Sequence, residues 1–187
     1  MINDGERMSN DVGVCHGILG MSANSESFDK AKMVAARFVD YQMRSRFEVK
    51  QRLFRAGFCA EVVQAVLALF AEQGLLDDVE FALVFIQDKL HVARYGKFRI
   101  VHGLRAKGVS AEDISIAFAR IEVDPLAYIN TETIEETEEN NAVLLLSQKY
   151  RNAVFTPDVL KKAVAFLARR GYSREVIARS ISIFKGL

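Results

Sequence analysis

Three times along the chain a leucine is followed four residues later by a glycine, and a fixed apolar spacing follows each glycine. The pairs are Leu53 with Gly57, Leu104 with Gly108 and Leu167 with Gly171. Directly after the glycine stands Phe58, Val109 or Tyr172, and six residues after it stands Val63, Ile114 or Ile177. Ten residues after it comes Leu67, Phe118 or Ile181, and thirteen after it Phe70, Ile121 or Phe184. The last three offsets differ by four and three residues, so they fall on one helical face. The glycine suits the left-handed residue that ends a helix, and the apolar residue after it can fold back on the helix just finished. Glu61, Glu112 and Glu175 also recur at a common offset. The pattern predicts two helices meeting at a glycine corner, with a third helix packed from upstream.

The corners are 51 and then 63 residues apart. A period of that size without strand signals predicts an all-α chain of three tandem three-helix repeats. Only two prolines occur in 187 residues, which favours helices over turn-rich β structure. The expected divisions are a flexible tail over 1–27, repeats over 28–76 and 77–123, and a third repeat over 124–187 that opens with an acidic connection. Met8 and Met21 are alternative starts within the tail. Helix-start signals support the divisions. Ser45 with Glu48 and Ser110 with Asp113 have capping-box spacing, Asp77–Asp78 can cap a helix, and Thr156–Pro157 opens another. The stretch Thr131 to Glu139 reads either as a loop or as a charged helix start.

Several function classes are excluded by what the chain lacks. Cys15 and Cys59 form no CxxC pair or Cys/His cluster, so no metal site or disulfide framework is expected. His91 and His102 would share a face only in one unbroken helix, and Tyr95–Gly96 interrupts it. His16 lies in the tail. There is no Gly-rich phosphate loop and no nucleophile elbow. Asp77–Asp78 read as caps rather than as a carboxylate pair. A non-enzymatic protein without a cofactor is therefore expected. The longest apolar run, Val62 to Phe70, is broken by Gln64 and is too short to span a bilayer. The opening Asn3, Asp4, Gly5 and Glu6 lack the character of a secretory signal, so the cytoplasm is the expected location.

The formal net charge is only +1, yet the charge is unevenly placed. Residues 89 to 108 carry Lys89, Arg94, Lys97, Arg99, Arg105 and Lys107 and no acid. The candidate binding residues are Arg46, Lys50, Arg55, Lys97, Arg99, Arg105, Lys107, Arg169 and Arg170. Basic second helices in successive repeats would suit phosphates or an acidic protein groove. The competing reading is an ordinary solvated helix face, and Arg46, Lys50, Arg52 and Arg55 do not share one narrow face. Tyr128 and Phe155 are candidates for base stacking or for burial.

The same residues carry a family resemblance. RSRFEVKQRLFRAGF at 44–58, followed by GLLDDVEFA at 74–82, resembles the first repeat of the RecX regulatory proteins. YGKFRIVHGLRAKGVS at 95–110 is similar to the second repeat, and FLARRGYSREVI at 166–177 to the third. The resemblance covers about residues 30–187. It implies an elongated, curved array that binds along a RecA-type recombinase filament on single-stranded DNA, and a monomer is the expected state of the chain. It implies lowered ATP hydrolysis, strand exchange and co-protease activity, and so a role in DNA repair and the SOS response. A weak direct contact with DNA, or a wholly DNA-directed role through helix-turn-helix-like bundles, is the other expectation. The sequence departs from the pattern in its long tail and at Lys50, which stands where the other repeats have Val101 and Val164.

Overall fold

The computed structural model describes residues 21–124, 132–151 and 156–186. Every secondary-structure element among the described residues is a helix, and none is a strand. The helices are α1 (Met21–Tyr41), α2 (Arg46–Arg55), α3 (Ala60–Glu72), α4 (Asp78–Gln87), α5 (Lys97–Ala106), α6 (Ala111–Val123), α7 (Ile134–Lys149), α8 (Pro157–Arg169) and α9 (Arg174–Gly186). A π-helical turn over Asp88–Val92 extends α4. Two compact units result. One takes residues up to Arg44 together with Glu48–Leu76, and the other takes Ser45–Phe47 and the chain from Asp77 onward.

The three corners form as the spacing predicts. Gly57, Gly108 and Gly171 have φ of 87°, 75° and 87°. The N–H of Phe58, Val109 and Tyr172 donates to the carbonyl of Leu53, Leu104 and Leu167 at 3.3, 3.2 and 3.3 Å. The glycine N–H groups bond to Phe54, Arg105 and Ala168, each at 3.0 Å. These are the paired bonds of a Schellman ending, which satisfy carbonyls that a helix C-terminus leaves over. All three leucines are fully buried.

The apolar face after each corner builds a core. In the first unit Val63, Leu67 and Phe70 pack with Val49 and Leu53 of α2 and with Ala31 and Ala35 of α1. Ile114, Phe118 and Ile121 pack with Ile100 and Leu104 of α5 and with Phe81 and Ile86 of α4. Ile177 and Ile181 pack with Leu167 of α8 and with Ala142 and Leu146 of α7. Ile134, from the start of α7, joins the core of the preceding repeat.

Helix starts follow the polar signals. Asp77 accepts from the N–H groups of Val79 and Glu80, Ser110 from Asp113 and Thr156 from Val159. Thr133 and Glu136 make a reciprocal capping box, so the acidic stretch from residue 134 is the opening of α7. Ser45 lies just before α2 and donates its hydroxyl to the Lys107 carbonyl at 2.6 Å. α1 begins at Met21, inside the segment expected as a tail. A Glu26–Lys30 pair one turn apart supports its first turns, and Phe28 packs on the core. The rest of that segment, with Cys15 and His16, and likewise Pro125, Tyr128 and Phe155, lie outside the described residues.

The second and third repeats meet through backbone. The N–H of Gly96 donates to the Arg170 carbonyl at 2.9 Å, and that of Phe98 to the Gly171 carbonyl at 3.1 Å. A Cβ on Gly96 would overlap the Gly171 carbonyl, and one on Gly171 would overlap the Arg99 backbone. Gly57 has the same φ as Gly171 but open space around it. Gly57→Ala is therefore expected to cost about 1 kcal/mol from left-handed strain alone. Gly171→Ala carries that strain plus overpacking, a further cost of about 2 kcal/mol. Urea unfolding of each variant against wild type checks the difference, and equal losses would contradict the close packing.

Candidate cationic interface on the second helices

The candidate cations sit on α2, α5 and α8, the second helices of the three repeats, or just beyond their ends. In the first unit, Lys50 is half-buried with its ammonium 5.9 Å from the centre of the Phe54 ring. The position is at most half-covered in all three repeats, since Val101 is half-buried and Val164 is exposed, so a lysine is accommodated there. Arg55 is exposed and donates to Gln51 at 3.1 Å. Arg46, grouped with the second unit, is exposed at the start of α2, and its N–H donates to Asp78 at 2.8 Å. Burial pushes the Asp78 carboxyl up, the Arg46 N–H pulls it back, and neighbouring Asp113 raises it further.

In the second unit α5 carries most of the charge. Lys97 is its first residue, with its ammonium 3.8 Å from Glu122 and 4.7 Å from the centre of the Phe118 ring. Arg99 donates to the Arg169 carbonyl at 3.0 Å and stacks over Tyr95 at 4.3 Å. Lys107 is half-buried, 5.7 Å from the Phe81 ring centre. Arg105 is exposed, and its side chain has no hydrogen bond or ion pair among the described residues. Arg169, also exposed, closes α8.

Arg170 has a different role. Its guanidinium donates to the carbonyls of Ala93 at 2.9 Å and Arg94 at 3.4 Å, and lies against Tyr95 and Phe166. The Tyr172 hydroxyl donates to the same Arg94 carbonyl at 2.8 Å. Arg94 is held at φ 51°, the left-handed region that an arginine seldom adopts. The π-helical turn delivers it there, and the Tyr95 N–H closes the turn onto Lys89 at 2.9 Å. The Tyr172 hydroxyl is pushed up by burial and by nearby Glu138, so it stays a donor. Arg99 and Arg170 thus meet around Tyr95, one facing outward and the other built into the seam.

Glu138 of α7 completes the seam. It is 5% exposed, and its carboxylate accepts from the Lys97 N–H at 2.6 Å, at the N-terminus of α5. That end of a helix favours an anion. Burial still pushes the carboxyl above its ordinary range, the Lys97 N–H and ammonium oppose the shift, and Glu135 adds to it. No cluster of His, Cys, Asp or Glu among the described residues could hold a metal ion.

Phe98 and His102, absent from the sequence-based set of candidates, stand on the outer face of α5 beside Arg105. The signal was present, since residues 98, 102 and 105 have helical same-face spacing.

The family model for the first three-helix domain of RecX matches residues 31–68, and that for the second matches residues 77–117. The regulatory protein RecX of Mycolicibacterium smegmatis is 32% identical over 161 residues, covering 83% of this chain and 79% of that protein. That of Finegoldia magna is 27% identical over 165 residues, covering 88% and 74%. The crystal structure of RecX from Lactobacillus salivarius superposes with a TM-score of 0.73 at 17% identity, covering 87% of this chain and 99% of that one. A second crystal structure, of a regulatory protein RecX, gives 0.69 at 23%. At those identities the structures establish the fold. No described helix is long and apolar enough to cross a membrane.

Two outcomes follow from the divided roles. Arg170→Ala is expected to lower stability by about 1.5–3 kcal/mol, the worth of charged hydrogen bonds left unmade. Arg105→Ala should change it by less than about 0.5 kcal/mol. Thermal unfolding of the two variants separates them. Glu138 titrates higher in the folded than in the unfolded chain, so the folded state binds the extra proton. Its ionisation then disfavours folding increasingly as pH rises through the folded-state value. Glu138→Gln keeps an acceptor for Lys97 without the charge, so its stability relative to wild type should rise from about pH 4 to 7. A constant difference over that range would contradict the buried carboxylate.

Proposed function

The chain belongs to the RecX family of regulatory proteins, and we propose that it binds a RecA-type recombinase filament assembled on single-stranded DNA and suppresses its activity. In this reading it acts as a ligand and catalyses nothing itself. Bound to the filament, it lowers ATP hydrolysis, strand exchange and co-protease activity, and so moderates recombination, repair and the SOS response in the cytoplasm. The carrying observation is the relation to proteins named regulatory protein RecX over most of the chain.

The geometry supports a binding role. Rigid helices present cations outward, and Arg105 and Arg169 have side chains without internal partners among the described residues. A chain of repeats can engage successive subunits of a filament, so individually weak contacts add through effective concentration. Long-range attraction to a polyanionic filament favours fast association at low salt.

Recombinase ATPase on saturated single-stranded DNA tests the proposal. Hydrolysis should fall as the protein is titrated to amounts at or below one per recombinase subunit. Arg105→Glu should raise the half-inhibiting concentration and weaken its dependence on salt. Unchanged hydrolysis across a wide titration at low salt would refute the reading.

A further inference from the structure

We infer that the outer face of α5 takes hold of the nucleic-acid strand itself, stacking an unpaired base on Phe98 while Arg105 and Arg99 hold the flanking phosphates. This rests on the proposed filament-binding role and assigns one face within it.

The face is defined by the helix period. Residues 98, 102 and 105 lie within one narrow arc, and Arg99 borders it. Ile100 and Leu104 point the other way, into the core. The exposed arc holds a phenyl ring, an imidazole and two guanidinium groups, and residues 89 to 108 contain no acid. Phe98 is 65% exposed, a large apolar area for a residue on a well-packed helix. The main chain that carries the ring is anchored, because the Phe98 N–H is bonded to the Gly171 carbonyl at 3.1 Å. Arg99 is also anchored, by Tyr95 beneath it and by the Arg169 carbonyl. That carbonyl takes up only one of five guanidinium N–H donors. Arg169 lies at the adjoining end of α8 and extends the cationic border.

The chemistry of the face selects the ligand. An acidic protein groove would use the arginines, and would need an apolar pocket set among its acids to seat the ring. A nucleotide uses both, since its phosphates pair with guanidinium groups and its base has a π-face. Base pairs in a duplex are already stacked, and opening a step costs a few kcal/mol. A single strand offers its bases at little cost, and stacking on an aromatic ring tolerates any sequence. The ligand that fits is a single strand bound without strong sequence preference.

The test uses the full-length protein with fluorescent oligo(dT) and no recombinase, read by anisotropy at low salt. Phe98→Leu keeps apolar bulk and removes the π-face, and it is expected to weaken binding about five- to a hundredfold, as loss of one stacked base does. Phe98→Tyr should restore most of the affinity. Arg105→Ala should lower the slope of log affinity against log salt by about 0.7, one phosphate contact on a single strand. Unfolding curves matching wild type confirm that the exposed substitutions leave the fold alone. No binding by wild type, equal binding by Phe98→Leu, or displacement of the strand by poly-glutamate at matched charge would overturn the inference, the last by favouring an acidic protein groove. ATPase suppression on the filament is scored separately. Suppression that survives Phe98→Leu, with oligonucleotide binding also unchanged, removes this inference and leaves the filament-binding role standing.

Discussion

A single backbone bond, from the residue after each corner glycine to the leucine carbonyl before it, sets the rest of the structure. It ends the second helix of a repeat and fixes where the third begins. That angle decides which face of the third helix meets the second, so the apolar residues six and ten positions on become core, as do Phe70 and Ile121 at thirteen, while Phe184 packs half-buried against it. The three bonds agree to within 0.1 Å although the residues donating them are phenylalanine, valine and tyrosine. Side-chain identity is free because the geometry belongs to the main chain and to the glycine that permits it.

The corners were legible because they need a particular residue at a particular place. A leucine, a left-handed glycine and a 4–3 apolar spacing leave a readable trace, and so do Asp77, Ser110 and Thr156 at helix starts. The seam between the second and third repeats left almost none. It depends on two glycines meeting, on an arginine held at positive φ, and on a glutamate from a distant helix reaching the first N–H of α5. Gly96 is an ordinary glycine in sequence, and its partner Gly171 was already accounted for as a corner. The π-helical turn over Asp88–Val92 has no pattern that separates it from the helix before it.

The candidate interface was legible as charge but not as division of labour. The sequence counts Arg169 and Arg170 as equal neighbours. The fold spends Arg170 on two carbonyls and two rings, and leaves Arg169 outside. Lys97 likewise serves Glu122 and Phe118, and its main chain serves Glu138. Each difference follows from a helix ending or beginning beside a neighbour, which requires tertiary contact to see. Phe98 shows the converse. Its spacing from His102 and Arg105 was visible, but a phenylalanine in a helical repeat reads as core until its exposure is known.

The main-chain character of the seam has a consequence for how such a chain is held together. Its contacts lie between the start of one second helix and the corner of the next repeat, so what is joined is one loop to another. The stretch between the second and third corners is twelve residues longer than that between the first two, with spacings of 63 and 51. The added length lies between Phe98 and Arg170, so the joint closes a long stretch of chain onto itself. Along that joint the paired atoms are main-chain, while the two glycines and the Arg170, Tyr172 and Glu138 side chains around it are tied to their neighbours one by one.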